Sequence, residues 1–317
     1  MERKDILILF QISFIAICII LITMILLIPP LFQFSWNELL RNIFPNSEYF
    51  FRYITELGGT LIYLAMFFII FWGIDKRIGK YLLIVYITSN IVNFYAKAII
   101  AKERPPESNW ILIGASHLST PSGHAMSSTV VWGYTSMKFK NIIMWISSII
   151  IIILVGLSRM YLGVHWFGDV LTGWLFGITI LLLIWILEGP IRKFVSRYNI
   201  SIFYLVLIII GFVMMILTEV VYESGYDFGT VGGQMIGFGL GFLLEEKYVN
   251  FSSNYEPGKK WRLILRILLG ILFLTIVYLV IYLLIDTDVF WMNALHYTIT
   301  LIVGIFVWPL IFKKVGL

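Results

Sequence analysis

The chain of 317 residues is 60% hydrophobic and 13% charged, with a mean hydropathy of +0.93, where a soluble globular protein carries about 25% charged residues. That balance excludes a water-soluble domain and makes this a membrane protein. The net charge of +5 is scattered through short connecting segments, which excludes a nucleic-acid-binding face, and the single cysteine, Cys18, excludes an intrachain disulfide.

A helix needs about 20 apolar residues to cross a hydrocarbon core. Such runs fall near 5–29, 57–74, 81–101, 123–138, 141–158, 165–187, 201–218, 229–246, 261–285 and 290–312, which predicts an all-α polytopic bundle of about ten spans. The first run exceeds the apolar region of a signal peptide, and no small-residue cleavage site follows "LLIPPLFQF", so it is expected to stay as a helix. The polar, basic segment "EGPIRKFVSRYNIS" at 188–201 divides six helices, residues 1–190, from four more, residues 191–317. Only Arg41, Arg52, Lys97, Lys102, Arg104 and Arg159 fall on one side of the membrane; the other 17 of 23 bases share the side of the amino terminus. By the positive-inside bias both chain ends are expected in the cytoplasm.

Three stretches carry chemistry. In "NIVNFYAKAIIAKERPP", Asn90, Asn93, Lys97 and Arg104 recur at spacings of three, four and seven, on one stripe of the third span, and Pro105 ends that helix near Arg104. Bases snorkelling at a helix end would produce the same pattern. In "STPSGHAM", Ser122 and Gly123 follow Pro121 at the start of an apolar helix, where unpaired N–H groups and the helix dipole favour an anion. Gly123 allows close backbone approach, Ser122 adds a hydroxyl, and His124 is a proton carrier one residue on. A serine N-cap beside an incidental histidine would look alike. In "SRMYLGVHWFGDVLTG", Arg159 ends the fifth span, and His165 and Asp169 share a helix face one turn apart. The carboxylate can accept from one ring nitrogen and leave the other as nucleophile or base, or the pair can be a structural bond between helices.

The last four helices hold a different signal. Gly229, Gly233, Gly237 and Gly241 form a small-residue ladder in the eighth span, suited to close helix packing or to a homodimer. Glu219, Glu223, Asp227, Asp286 and Asp288 gather on the outer side, with His296 on the same side. They form a solvated acidic rim or, alternatively, shape a lipid groove or accept a headgroup.

Under one topology the three motif stretches lie at outer ends of helices and can converge. Two histidines, three strong cations, a helix terminus and a single carboxylate suit a phosphate, with the cations neutralising its oxygens during transfer. One acid is too few for a magnesium cage, so neither metal nor cofactor is expected. The patterns KxxxxxxRP at Lys97 to Pro105, PSGH at Pro121 to His124 and SRxxxxxHxxxD at Ser158 to Asp169 resemble the signature of the type 2 phosphatidic acid phosphatase superfamily at eleven specified positions. The likeness covers 97–169 in detail and about 1–190 as a six-helix core.

That resemblance implies a metal-independent integral-membrane lipid phosphate phosphatase working through a phosphohistidine. His165 would be the nucleophile, Asp169 its orienting partner and His124 the acid, with Lys97, Arg104, Ser122, Gly123 and Arg159 holding the phosphate. Soluble vanadate-dependent haloperoxidases share the signature, but ten spans argue against that role. The expected substrate is a polyprenyl diphosphate, then phosphatidylglycerol phosphate or phosphatidate, met at the outer face of a prokaryotic plasma membrane. A lipid phosphotransferase, or a lipid-binding or transport module with a vestigial site, are the alternatives.

Overall fold

The computed structural model describes residues 3–112, 118–221, 228–253, 260–286 and 289–317. The helices are α1 (Arg3–Leu26), α2 (Ser35–Ile43), α3 (Glu48–Glu56), α4 (Thr60–Gly73), α5 (Lys76–Ile100), α6 (Gly123–Phe139), α7 (Ile142–Tyr161), α8 (Phe167–Val195), α9 (Ile200–Val221), α10 (Phe228–Leu244), α11 (Lys260–Leu284), α12 (Phe290–Ile302) and α13 (Trp308–Lys314). Among the described residues, β structure is limited to one isolated bridge, Glu103 with Leu118. The fold is all-α, and a helix stands at each of the ten apolar runs.

Among the described residues, six helical stretches are long and apolar enough to cross a membrane by themselves: Leu7–Leu26, Lys76–Ile100, Ile142–Tyr161, Phe167–Val195, Lys260–Leu284 and Trp291–Lys314. The last runs from α12 through a π turn, Val303–Val307, into α13. The pair α3 and α4, bent by 43°, makes a seventh crossing if counted as one span. Helices α6 and α10 have 17 residues each. At about 1.5 Å per residue they reach ~26 Å, short of a hydrocarbon core of about 30 Å.

Contacts divide the chain into two compact units, one of Met1–Tyr63 with Ile84–Ile191 and one of Leu64–Leu83 with Arg192–Leu317. Residues Leu64–Leu83, within 1–190 in the division drawn from sequence, pack with the second unit. The reason is aromatic and ionic: Phe71 meets Phe242 and Phe251 edge-on at 5.4 and 5.0 Å, and Trp72 Nε1 donates to Gly304 O at 2.9 Å. Two part-buried ion pairs complete the attachment, Lys76 with Glu245 and Lys80 with Glu246, each at 2.7 Å.

In the first unit, Phe51 of α3 stacks on Tyr161 of α7 with ring centres 4.3 Å apart, over a core of Leu40, Ala125, Met160, Leu162 and Val170. This core lies beneath the α7–α8 turn. Helices α6 and α8 approach closely at two glycines: a Cβ at Gly173 would stand 2.7 Å from Ser122 O, and one at Gly177 2.5 Å from Thr129 Cβ. The sequence reading did not single these glycines out, nor did it assign helices to the segment now seen as α2 and α3.

In the second unit the glycine ladder faces α12 of the same chain. A Cβ at Gly233 would lie 2.2 Å from Ala294 O, at Gly237 2.9 Å from Thr298 O, and at Gly241 3.0 Å from Ile305 Cβ. Those three positions are therefore filled by the chain's own backbone and side chains, which leaves no room there for a second copy. His296 is buried, its ring 4.2 Å from that of Tyr278. Of the acids read as an outer rim, Asp286 is exposed, while Glu223, Asp227 and Asp288 and the side chain of Glu219 lie outside the described residues.

The ladder yields a direct test. Gly233→Leu should destabilise the protein by about 1–3 kcal/mol or more, because overpacking forces backbone apart. Gly189→Ala, where nothing lies within 4 Å, should leave melting in detergent unchanged. Equal melting temperatures for both variants would contradict the packing described.

Candidate active site

The site is assembled in the first unit from helix ends. Helix α5 carries Lys97 and ends as Ala101 turns to a φ of 50°, delivering Arg104 in the following loop. Arg104 Nη1 donates to Val164 O at 2.6 Å and lies 3.1 Å from His165 Nε2. Burial pulls the Arg104 guanidinium down to about 10, against the opposing pull of Asp169. It stays protonated at neutral pH.

Helix α6 opens at Gly123 with Ser122 as its N-cap, Ser122 Oγ accepting from Ala125 N at 3.5 Å. Ser122 N donates to Asp169 O at 2.9 Å, and Asn93 Nδ2 to Pro121 O at 3.1 Å, so α5 and α8 both grip the entry to α6. Gly123 fits against Asn93: a Cβ would come 3.1 Å from Asn93 Oδ1. His124 is half-buried, and its Cδ2 would stand 3.2 Å from a Cβ at Gly58.

Helix α7 ends with Arg159, buried, its Nη1 donating to Thr55 Oγ1 of α3 at 2.8 Å. The buried Arg159 Nε has no hydrogen-bond partner among the described residues. The turn into α8 depends on Gly163, whose φ is +81° and whose added Cβ would meet Asn109 O at 2.2 Å. His165 follows in that turn, 2% exposed, with Nδ1 3.1 Å from Asp169 Oδ2.

This geometry fixes the tautomer of His165. A guanidinium can only donate, so the His165 Nε2 beside Arg104 is an acceptor, its lone pair taken up by that guanidinium. The ring proton is therefore on Nδ1, where Asp169 accepts it. Asp169, with no exposed surface, also receives Ser119 Oγ, Thr120 Oγ1 at 2.5 Å and Trp166 N at 2.8 Å. Four donors on one carboxylate satisfy its oxygens and aim it at the imidazole.

All eight residues singled out from the sequence as catalytic or phosphate-binding come together here. Lys97, Arg104, Arg159, His124, His165 and Asp169 stand within electrostatic reach of one another, and Ser122 and Gly123 form the adjoining helix terminus. Asn93 joins them through Pro121, whereas Asn90 accepts from Ser127 Oγ at 3.4 Å in the helix packing behind. Sequence reasoning missed Thr55, Ser119 and Thr120. Ser119 and Thr120 directly precede Pro121, and the need of a buried Asp169 for donors was the signal that could have found them.

Fold and site together define a polytopic helical membrane protein with a cationic, histidine-bearing centre suited to phosphate. Residues 78–193 match the PAP2 superfamily, and residues 229–317 match the transmembrane extension of PAP2 superfamily phosphatases. The chain is 30% identical over 181 residues to the undecaprenyl-diphosphatase of Sulfolobus acidocaldarius, covering 48% of this chain and 84% of that one. It is 31% identical over 155 residues to phosphatidylglycerophosphatase B of Bacillus subtilis, covering 44% and 75%. With sphingosine-1-phosphate phosphatase 1 of Rattus norvegicus it shares 32% identity over 177 residues, 51% of this chain but 39% of that protein's length. A solved transmembrane PAP2 type phosphatidylglycerolphosphate phosphatase from Bacillus subtilis superposes with a TM-score of 0.46 at 26% identity, over 58% of this chain and 98% of the other. The chain belongs to the PAP2 superfamily and is an integral membrane protein.

The turn at Gly163 makes a local prediction. Gly163→Ala should destabilise the protein by at least about 1–2 kcal/mol through its left-handed backbone alone, and the clash with Asn109 O adds to that. A melting curve indistinguishable from that of the unsubstituted protein would show that the turn is not held as described.

Proposed function

We propose that this protein removes phosphate from membrane lipid phosphates or diphosphates through a phosphohistidine on His165, with a polyprenyl diphosphate as the preferred substrate. The observation that carries the reading is the His165 tautomer, with Nδ1–H held by Asp169 and the Nε2 lone pair directed among the cations. The relative of Sulfolobus acidocaldarius named for undecaprenyl diphosphate, most of whose length this chain covers, supports the choice of substrate. Phosphatidylglycerol phosphate and phosphatidate come next, and the rat relative adds a sphingoid-base phosphate to the screen.

Mechanism follows from the positions of the groups. Phosphate oxygens take the donors of Lys97, Arg104 and Arg159, the Ser122 hydroxyl and the N–H groups at Gly123, which draws Arg104 off the imidazole and frees the lone pair. Nε2 attacks phosphorus as the bond to the leaving oxygen breaks, and His124 gives that oxygen a proton. The proton lost from Nδ1 to Asp169, or shared with it, keeps the phosphorylated ring from carrying a full positive charge. Water, deprotonated by His124, then attacks phosphorus, and the N–P electrons return to Nε2. Three side-chain cations neutralise the transferring group, so the reaction proceeds without a divalent metal and survives EDTA. The site faces outward, with both chain ends cytoplasmic.

Two experiments test these assignments. With an aryl phosphate, His165→Ala should leave no acid-labile, base-stable label on the protein. His124→Ala should still form the intermediate but hydrolyse it slowly, so label accumulates. Asp169→Asn should lower turnover by up to about 10⁴-fold, as the matching change does in a serine protease triad. Label trapped on His165→Ala would overturn the assignment, and phosphate appearing only on an added alcohol would make the protein a phosphotransferase. Orientation is tested in a Cys18→Ala background: cysteines at Asn109 and Asp286 should react with a membrane-impermeant thiol reagent on intact cells, and one at Lys193 should not. The opposite pattern would place the site inside.

A further inference from the structure

Helix α2 lies outside both matched segments, yet it makes direct bonds to the turn that carries His165. Asn37 is fully buried, and its Nδ2 donates to Met160 O at 2.8 Å and to His165 O at 3.0 Å, one carbonyl on each side of the turn. Its Oδ1 has no hydrogen-bond partner among the described residues, so the amide is oriented by those two donations. Reversing the amide would set oxygen against two carbonyl oxygens, which fixes the assignment. One helical turn on, Arg41 donates Nε to Tyr161 O at 2.9 Å and Nη2 to Asn109 O at 2.8 Å. Four carbonyls, two from the end of α7 and two from the loops near it, are thus tied to a nine-residue helix.

We propose that Asn37 is a positioning residue for His165, spanning the α7–α8 turn so that the imidazole holds its place between Asp169 and Arg104. This rests on the proposed role of His165. The turn holds Gly163 in the left-handed region, and Asn37 bonds one carbonyl on each side of that glycine. A neutral side chain offering two N–H bonds from a single atom is what the two carbonyls require, and asparagine supplies it at this distance.

The test compares three variants. Asn37→Asp keeps the shape but replaces both donors with acceptors, Asn37→Ser can satisfy at most one carbonyl, and Leu40→Ala loosens the same helix over Met160, Tyr161 and Leu162 without removing a bond to the turn. With an aryl phosphate, the two Asn37 variants should form phosphoenzyme about 10²-fold more slowly, as expected for slight misplacement of a reacting group, with KM little changed. Leu40→Ala should stay near the wild-type rate even where its melting temperature falls as far. In parallel, ¹⁵N-histidine NMR of the unliganded protein, with the His165 signal identified from His165→Ala, should show that signal shifted or broadened in Asn37→Asp and the His296 signal unmoved. An unchanged His165 signal, or rates that follow melting temperature equally in all three variants, would overturn the proposal. Should the wild type form no phosphoenzyme, the proposed function fails, and the NMR comparison still decides whether Asn37 positions the ring.

Discussion

A carboxylate with no exposed surface must find its hydrogen-bond donors inside the protein, and the arrangement of the first unit depends on how Asp169 finds them. Two come from hydroxyls at the entry to α6, one from the backbone of the α7–α8 turn, and one from the imidazole. The hydroxyls belong to the entry to α6 and the other two donors to the turn that leads into α8, so satisfying one anion fixes these two pieces of chain against each other. Removing any donor would leave a charge partly uncompensated where water does not reach, a cost of about 1–3 kcal/mol per unsatisfied group.

The opposite imbalance surrounds that anion. Lys97, Arg104 and Arg159 converge around Asp169, a carboxylate that already has four donors of its own, and Glu56 adds a further acid within reach of Arg159. Like charges so placed repel, and the folded chain offsets the repulsion with carbonyls and hydroxyls, such as Val164 O for Arg104 and Thr55 Oγ1 for Arg159. A dianion bound among them would relieve the repulsion and be held by it. The helix terminus at Gly123 adds partial charges of the same sign.

How much of this could be read from the chain alone follows from the physics of an apolar sequence. In a chain that is 60% hydrophobic, a lysine, an arginine or a buried histidine stands out, and spacing along a helix puts such residues on known faces; that is why Lys97, Arg104, His124, Arg159, His165 and Asp169 were legible. Ser119 and Thr120 were not, since a hydroxyl is ordinary in any loop and its role appears only when its partner is located. Helices α2 and α3, of nine residues each, are too short to register as spans, and their register is set by what they cover, Leu40 and Phe51 against the α7 end. The attachment of Leu64–Leu83 to the second unit was equally hidden, because phenylalanines packed on another helix and phenylalanines facing lipid look the same in sequence.

Gly173 gives the separation of the two histidines an unusual character. Its bare Cα lets α8 rest on the backbone at the start of α6, where a methyl group would already intrude on Ser122 O. The spacing between α6, which carries His124 in its first turn, and α8, which carries Asp169, is therefore a minimum at this point, set by contact rather than by a balance of attractions. Change at this point can run in one direction only, toward a wider gap, so mutational drift has no route to a narrower one.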